Sequence, residues 1–191
     1  VGIGDDAAVV RLAGGARIVL TTDMVVEGTH FEPQTPPGAI GHKAVARSLS
    51  DLAAMAARPL CTLAAVNFGA HRDTKYMKRL MRALWRASCQ LGAPLVGGDI
   101  AGSSPPFRRT ANGLAVTVTA VGLPGVGGLV RRSGALPGDL ICVTGALGGS
   151  LLSGRHLSFS PRIREALLLA EQFDIHAMID VSDGLSTDLL H

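Results

Sequence analysis

The stretch IGHKAVARSLSDLAAMAARPLCTLAAVNFG, residues 40–69, changes its period midway. In the first half Val45, Leu49, Leu52 and Ala56 fall at i, i+4, i+7 and i+11, the stripe of a helix with one apolar side. Pro59 is expected to end that helix. LCTLAAVNFG, residues 60–69, is then continuously apolar and bounded by proline and glycine, which predicts a strand. A helix running straight into a buried strand sets the fold class.

Working outward, AAVVRL (7–12) and ARIVLTTD (16–23) read as two strands joined by the turn AGG. VVEGTHFEP (25–33) is a loop leaving the second. A basic helix is expected over about 73–91. APLVGGD (93–99) reads as a short buried strand with a glycine turn, and GLAVTVTAVGL (113–123) as a further strand. The Gly-rich connection GVGGLVRRSGALPGD (125–139) is the best domain boundary, separating 1–129 from 130–191. Beyond it, DLICVTG (139–145) and AMIDVSDGL (177–185) read as strands. SPRIREALLLAEQF (160–173) reads as a helix with Ser160 as N-cap and Pro161 at its first position. The order predicts an α+β fold: a mixed sheet layer with helices, followed by the start of a second α/β unit. The chain opens at a turn and stops inside a young helix, SDGLSTDLLH, so both ends read as cut.

Composition sets the limits. Of 191 residues, 47% are hydrophobic and 17% charged, which supports a packed core and excludes disorder. Only 4% are aromatic, so the core must be built from Val, Leu, Ile and Ala. The net charge of +3 is mild and comes partly from KYMKRLMRALWR (75–86), whose Lys75, Lys78, Arg79, Arg82 and Arg86 read as a solvated helix face. Nucleic-acid binding would want a wider patch and stacking aromatics. Cys61, Cys89 and Cys142 form no CxxC pair and read as buried thiols of a reducing cytoplasm. No signal peptide or membrane-length apolar run is visible.

The acids carry the functional signal. There are 15, and Asp6, Asp23, Asp51, Asp99, Asp180 and Asp183 lie at or near the ends of apolar elements, each with Gly, Ser or Thr close by. Singly, each also reads as a turn or capping residue, and Asp51 as an ion-pair partner of Arg47 or Lys43. Together they read as repeated capping or as a converging carboxylate cluster. Such a cluster is untenable when buried without cations. Mg²⁺ resolves the repulsion, since it takes ~6 oxygen ligands and commonly shares them with phosphate. Thr21 and Thr22 could add hydroxyl or carbonyl oxygens. No GxxxxGK[ST] occurs, and VGIGDDA lacks a preceding strand and places two negative charges where a pyrophosphate would sit. Any ATP would be held through metal-bridged carboxylates rather than a P-loop.

Taken in order, GIGDDAAVV, TTDMVVEGTHF, IGHKAVARSLSDLAAMAARP, LVGGD, RRSGALPGD, VTG and IDVSDGLSTDL resemble the thiamine-monophosphate kinase family. That family belongs with aminoimidazole ribonucleotide synthetase, selenophosphate synthetase and a hydrogenase maturation factor. The resemblance implies transfer of the ATP γ-phosphoryl group to thiamine monophosphate, giving thiamine diphosphate, with several Mg²⁺ ions and ATP as co-substrate. It implies Asp6, Thr21, Thr22, Asp23, Asp51, Asp99, Asp180 and Asp183 as metal ligands. Gly98, Asp99, Arg132 and Ser182 are implied as ATP contacts, and His30 as a substrate-binding residue. Which of Arg131 and Arg132 faces the nucleotide stays open, and Asp5 reads as a turn residue or one that supports the ligands. The family's N-terminal domains pair across a two-fold axis into an intersubunit β-barrel, so a cytoplasmic homodimer is implied. Its second domain completes the thiamine pocket. Transfer between two phosphates needs no strong general base, because the acceptor is already ionised; direct in-line transfer without a covalent nucleophile is expected. The rivals are another ATP-dependent synthetase of the superfamily and a non-catalytic nucleotide- or metal-binding dimerisation module. Selenophosphate synthetase is disfavoured, because the glycine-rich N-terminal loop holds no cysteine.

Overall fold

The computed structural model describes residues 4–69, 72–102 and 113–191. Val1–Ile3, which include the first two residues of the GIGDD motif, lie outside them. Strands β1 (Ala8–Arg11) and β2 (Arg17–Val26) form an antiparallel hairpin. Its turn needs two consecutive left-handed residues, which Gly14 (φ 85°) and Gly15 (φ 89°) supply without a Cβ penalty. Helix α1 spans Pro37–Ala54, with Pro37 in the first turn, where no N–H is needed. It stops before Pro59. Ala56 takes the left-handed conformation (φ 50°) and β3 begins at Ala57, running to Phe68. Pro59 therefore lies inside β3, at a register shift where its missing N–H breaks no regular ladder.

Helix α2 (Thr74–Gln90) is capped by Asp73, whose side chain accepts from the Tyr76 N–H at 2.6 Å. It crosses over from β3 to the parallel strand β4 (Leu95–Gly102). Strand β5 (Ala115–Pro124) fills the centre, and the sheet order is β1-β2-β5-β3-β4, antiparallel except for β3 with β4. Glycines 97 and 98 continue β4 instead of turning it, and the strand is an exposed edge rather than a buried one.

Alternation along each strand puts Val19, Val25, Ala64, Val66, Val116, Val118 and Ala120 on one face, buried with Val45, Leu49 and Leu52 of α1 and Leu80 and Leu84 of α2. Each Val or Leu among them contributes roughly 1.5–3 kcal/mol by leaving water. Among the described residues no helix covers the opposite face, where Met24 is 50% and Leu63 38% exposed. The expected mixed sheet with helices on one face is what forms.

Residues 130–191 hold two short 3₁₀ turns, α3 (Ile163–Gln172) and α4 (Leu185–Asp188), but no strand. The strands expected at 139–145 and 177–185 do not form: both segments are irregular, with bends and no ladder partner among the described residues, and the second runs into α4 at Leu185. Leu140 is 90% exposed as a result. Helix α3 begins with Arg162 as N-cap, two residues after Ser160, and has no side-chain cap. This region is tied to α1, where His42 Nε2 lies 2.7 Å from the Phe159 carbonyl oxygen. Cys89 and Cys142 are exposed and Cys61 half-buried, so the thiols are not the core residues expected. Among the described residues no helix is long and apolar enough to cross a membrane.

Candidate active site

The end of α1 is the anchor. Asp51 lies in its last turn, and the Ala7 N–H donates to Met55 Sδ just beyond, at 3.2 Å. That contact fixes the residue after Asp6 against the helix end. From the far end of the chain, the Met178 N–H donates to the Arg131 carbonyl at 3.1 Å, and Ser50 Oγ donates to Asp180 Oδ2 at 2.8 Å. Three segments distant in sequence thereby meet. Asp6, Asp51 and Asp180 each offer a carboxylate oxygen within 4.8 Å of the others.

The electrostatics of this triad are unbalanced. Thr21 Oγ1 donates to Asp51 Oδ2 at 2.5 Å, yet burial, then the charges of Asp23, Asp180 and Asp6, push the Asp51 carboxyl up to about 8. Burial also raises Asp180, despite the Ser50 hydrogen bond. Arg132 is the one cation bonded directly to the triad among the described residues. Its Nε and Nη2 both donate to Asp6, the first at 3.0 Å, and the Asp6 side chain is only 1% exposed. Hydrogen bonding to Asp6 raises Arg132 further. Asp5 Oδ1 accepts from the Asp6 and Arg132 backbone N–H groups at 3.2 and 3.4 Å, so it braces this pairing. Arg132 is half-buried and Arg131 exposed, and it is Arg132 whose side chain reaches the acids.

Asp23 and Thr21 share the helix-covered face of β2. Asp23 pairs with Arg47 at 3.4 Å, so Arg47 serves Asp23 rather than Asp51. Thr22 points the other way. Its hydroxyl lies 3.1 Å from Thr119 Oγ1 on the open face, so it is not beside the triad as expected, because successive strand residues alternate faces. Asp99 is also placed apart. It is exposed on β4 and paired with Ala65, on the open face, three strands from β2, about 14 Å at normal strand spacing. Gly98 has a packing reason of its own: at φ 152° a Cβ there would lie 1.9 Å from the Ala64 carbonyl oxygen. Ser182 and Asp183 are exposed in the turn before α4 and lie outside the triad.

His30 lies in the loop after β2. Its Nδ1 accepts from the Val26 N–H at 3.1 Å, so Nε2 carries the proton of the neutral ring. Burial, then Arg47 and Lys43, lower its pKa. Lys43 Nζ donates to the His30 carbonyl at 2.6 Å and contacts His156 Nδ1 at 2.9 Å. Glu27, in the same loop, pairs with Arg72 at 2.9 Å and accepts the Leu114 N–H. Sequence reasoning missed Ser50, Glu27 and Asp188, and gave Lys43 to Asp51 where it instead holds the His30 carbonyl; all four act on site residues or their loops. The only sequence signal was their position inside the motifs.

Comparison with known proteins supports a common descent. The family model for AIR synthase related protein, N-terminal domain, matches residues 4–146. A thiamine-monophosphate kinase of Rhodopirellula baltica is 38% identical, with 99% of this chain and 59% of that protein covered. The structure of AaThiL complexed with AMPPCP and TMP superimposes with a TM-score of 0.82 at 30% identity, covering 97% of this chain and 62% of that one. The thiamine-monophosphate kinase of Stenotrophomonas maltophilia gives 0.77 at 32% identity, covering 99% and 64%. The chain thus spans under two thirds of the length of these relatives. With the match running from the opening aspartates through the whole five-stranded sheet, the chain belongs to the AIR synthase related protein family through its N-terminal domain.

Proposed function

We propose that this chain is the ATP- and metal-binding part of a thiamine-monophosphate kinase, which moves the γ-phosphoryl group of ATP onto the phosphate of thiamine monophosphate. The observation that carries this reading is the meeting of Asp6, Asp51 and Asp180, three oxygen-donor carboxylates from three parts of the chain, around one point. The resemblance to a kinase bound to AMPPCP and TMP supplies the nucleotide and the acceptor.

Mg²⁺ fits this donor set. All three ligands are hard oxygens, and the burial, reinforced by mutual repulsion, that raises Asp51 and Asp180 is what a divalent cation offsets. Asp6, Asp51 and Asp180 would hold it, with Asp23 and Thr21 alongside; Asp183 and Asp99 would serve further ions. Bound there, Mg²⁺ neutralises charge on the transferring phosphate and fixes its line of attack.

The chain's own residues do the rest. Arg132 spends two of its five N–H donors on Asp6 and can direct others at a phosphate. Ser182 and Gly98 contact the nucleotide. His30, neutral and with Nδ1 already committed, binds the acceptor through Nε2 rather than acting as a nucleophile. The acceptor phosphate is ionised at neutral pH, so transfer is direct, with no phosphoenzyme. The open sheet face pairs with a second copy into an intersubunit barrel, which brings Asp99 and Thr22 to an interface. Residues 1–129 form this unit, and 130–191 begin the next domain. The enzyme works in the cytoplasm, where ATP is available.

The test is ADP release by the full-length protein with ATP, Mg²⁺ and thiamine monophosphate, and detection of thiamine diphosphate. Release that depends on thiamine monophosphate is expected. Nucleotide binding without turnover would favour a binding module, and turnover only with another acceptor would favour a different synthetase.

A further inference from the structure

Three successive backbone N–H groups, those of Ser182, Asp183 and Gly184, converge on a single atom, Oδ2 of Asp188, at 2.9, 3.2 and 3.1 Å. Asp188 is 4% exposed. Its own N–H donates back to the Gly184 carbonyl at 3.0 Å, so turn and side chain close on each other. Gly184 permits this with φ 124°. Convergent amides of this kind form an anion-binding concavity. Here the chain's own carboxylate fills it, so these amides are not open to a phosphate.

The same segment carries Asp180, which Ser50 Oγ holds from α1. Residues 180–184 are therefore fixed at both ends, by Ser50 at one and by Asp188 at the other. We infer that Asp188 is a positioning residue: by filling the 182–184 amides it holds Asp180 in the triad with Asp6 and Asp51 and sets where Asp183 stands. Its negative charge, close behind, adds to the attraction of the site for cations. This inference rests on Asp180 being a metal ligand.

The experiment uses the full-length protein, with Mn²⁺ as probe, its free concentration read by electron paramagnetic resonance. Asp188→Ala removes both the acceptor and the charge. Asp188→Asn keeps an acceptor of the same shape and removes the charge. Alanine is expected to raise the half-saturating Mn²⁺ concentration about 10-fold or more, the scale seen when supporting partners of metal ligands are lost, and asparagine to give an intermediate rise. The Mg²⁺ concentration for half-maximal rate moves in step, and excess Mg²⁺ restores kcat, which a general loss of folding would not allow. Amide exchange at 182–184 speeds up in both variants. Mn²⁺ affinity within twofold of the parent in either variant whose 182–184 amides exchange faster would overturn the inference. If the parent binds no Mn²⁺, it is the metal role of Asp180 that fails, and the exchange rates still report whether Asp188 holds the turn.

Discussion

Arg132 clasps Asp6 through two nitrogens, joining the opening turn to a segment more than a hundred residues away, and the carboxylate it holds is 1% exposed. The guanidinium thus occupies the same carboxylate that a divalent cation would share. Removing it leaves a buried anion uncompensated. Arg132→Met is expected to destabilise the metal-free protein by about 2 kcal/mol, less than for a fully buried pair because Arg132 is partly exposed. Mg²⁺ should recover part of that loss by giving Asp6 another cation. Thermal melts with and without Mg²⁺ check this; parental melting without metal would mean the clasp holds nothing.

Asp51 makes stability depend on pH with a definite sign. Its carboxyl is raised from an ordinary 3.8 to about 8, so between these values the folded state keeps a proton that the unfolded state has released. Its contribution is complete below the ordinary value and is lost as pH rises through about 8. Asp51→Asn mimics the protonated form. In chelator it should flatten the fall in melting temperature between about pH 5 and pH 9, and it should abolish stabilisation by Mg²⁺. A parallel pH curve in the variant would refute the assignment.

Adjacent threonines give a sharper contrast. Thr21 donates to Asp51, while Thr22 bonds Thr119 on the other side of the sheet. Thr21→Val should weaken Mg²⁺ binding by roughly 10-fold, the worth of one hydrogen bond to a charged acceptor. Thr22→Val should change it less than twofold. Titration of Mg²⁺ against protein fluorescence separates them, and equal losses would place both side chains on one site.

That contrast marks how far the sequence could be read. Acids at the ends of apolar runs led to Asp6, Asp51 and Asp180, because an element's end is local information. Which face of a strand a residue takes depends on register, and a one-residue slip reverses it, so Thr22 and Asp99 could not be placed. The helix of residues 40–57 was legible by period, but its end was set by Ala56 turning left-handed, which no pattern announces. DLICVTG has a strand's composition but no ladder partner among the described residues, since pairing is a property of neighbours. Asp188 was hidden because its partners are backbone amides.

His30 tests the acceptor site separately from the nucleotide. Truncation removes the ring and its bond to the Val26 N–H, but the loop keeps two backbone anchors, the His30 carbonyl held by Lys43 and the His30 N–H held by the Val26 carbonyl. A lowered pKa leaves the ring neutral near pH 7, and the loss is that of a neutral hydrogen bond. His30→Ala should raise KM for thiamine monophosphate about 10-fold, at about 1.4 kcal/mol, with KM for ATP within twofold. An equal rise in both would remove His30 from the acceptor site.

The open sheet face is the last point at which the proposal can fail. Met24 and Leu63 lie on it with substantial exposure, and the register puts Asp99 on the same face, away from its own chain's triad. A site that needs both Asp99 and the triad must be completed by a second copy, whereas a site that needs only the triad has no use for one. Charging the face distinguishes the two. Met24→Lys with Leu63→Glu should shift the protein from dimer to monomer in sedimentation while leaving the helix-covered core intact, since neither side chain is part of it. Mn²⁺ binding at Asp6, Asp51 and Asp180 should survive in the monomer, and turnover should fall by at least about 100-fold, as expected when a charge-stabilising group leaves a reaction centre. Full turnover by a proven monomer would show that Asp99 takes no part in the reaction and that the open face serves something else.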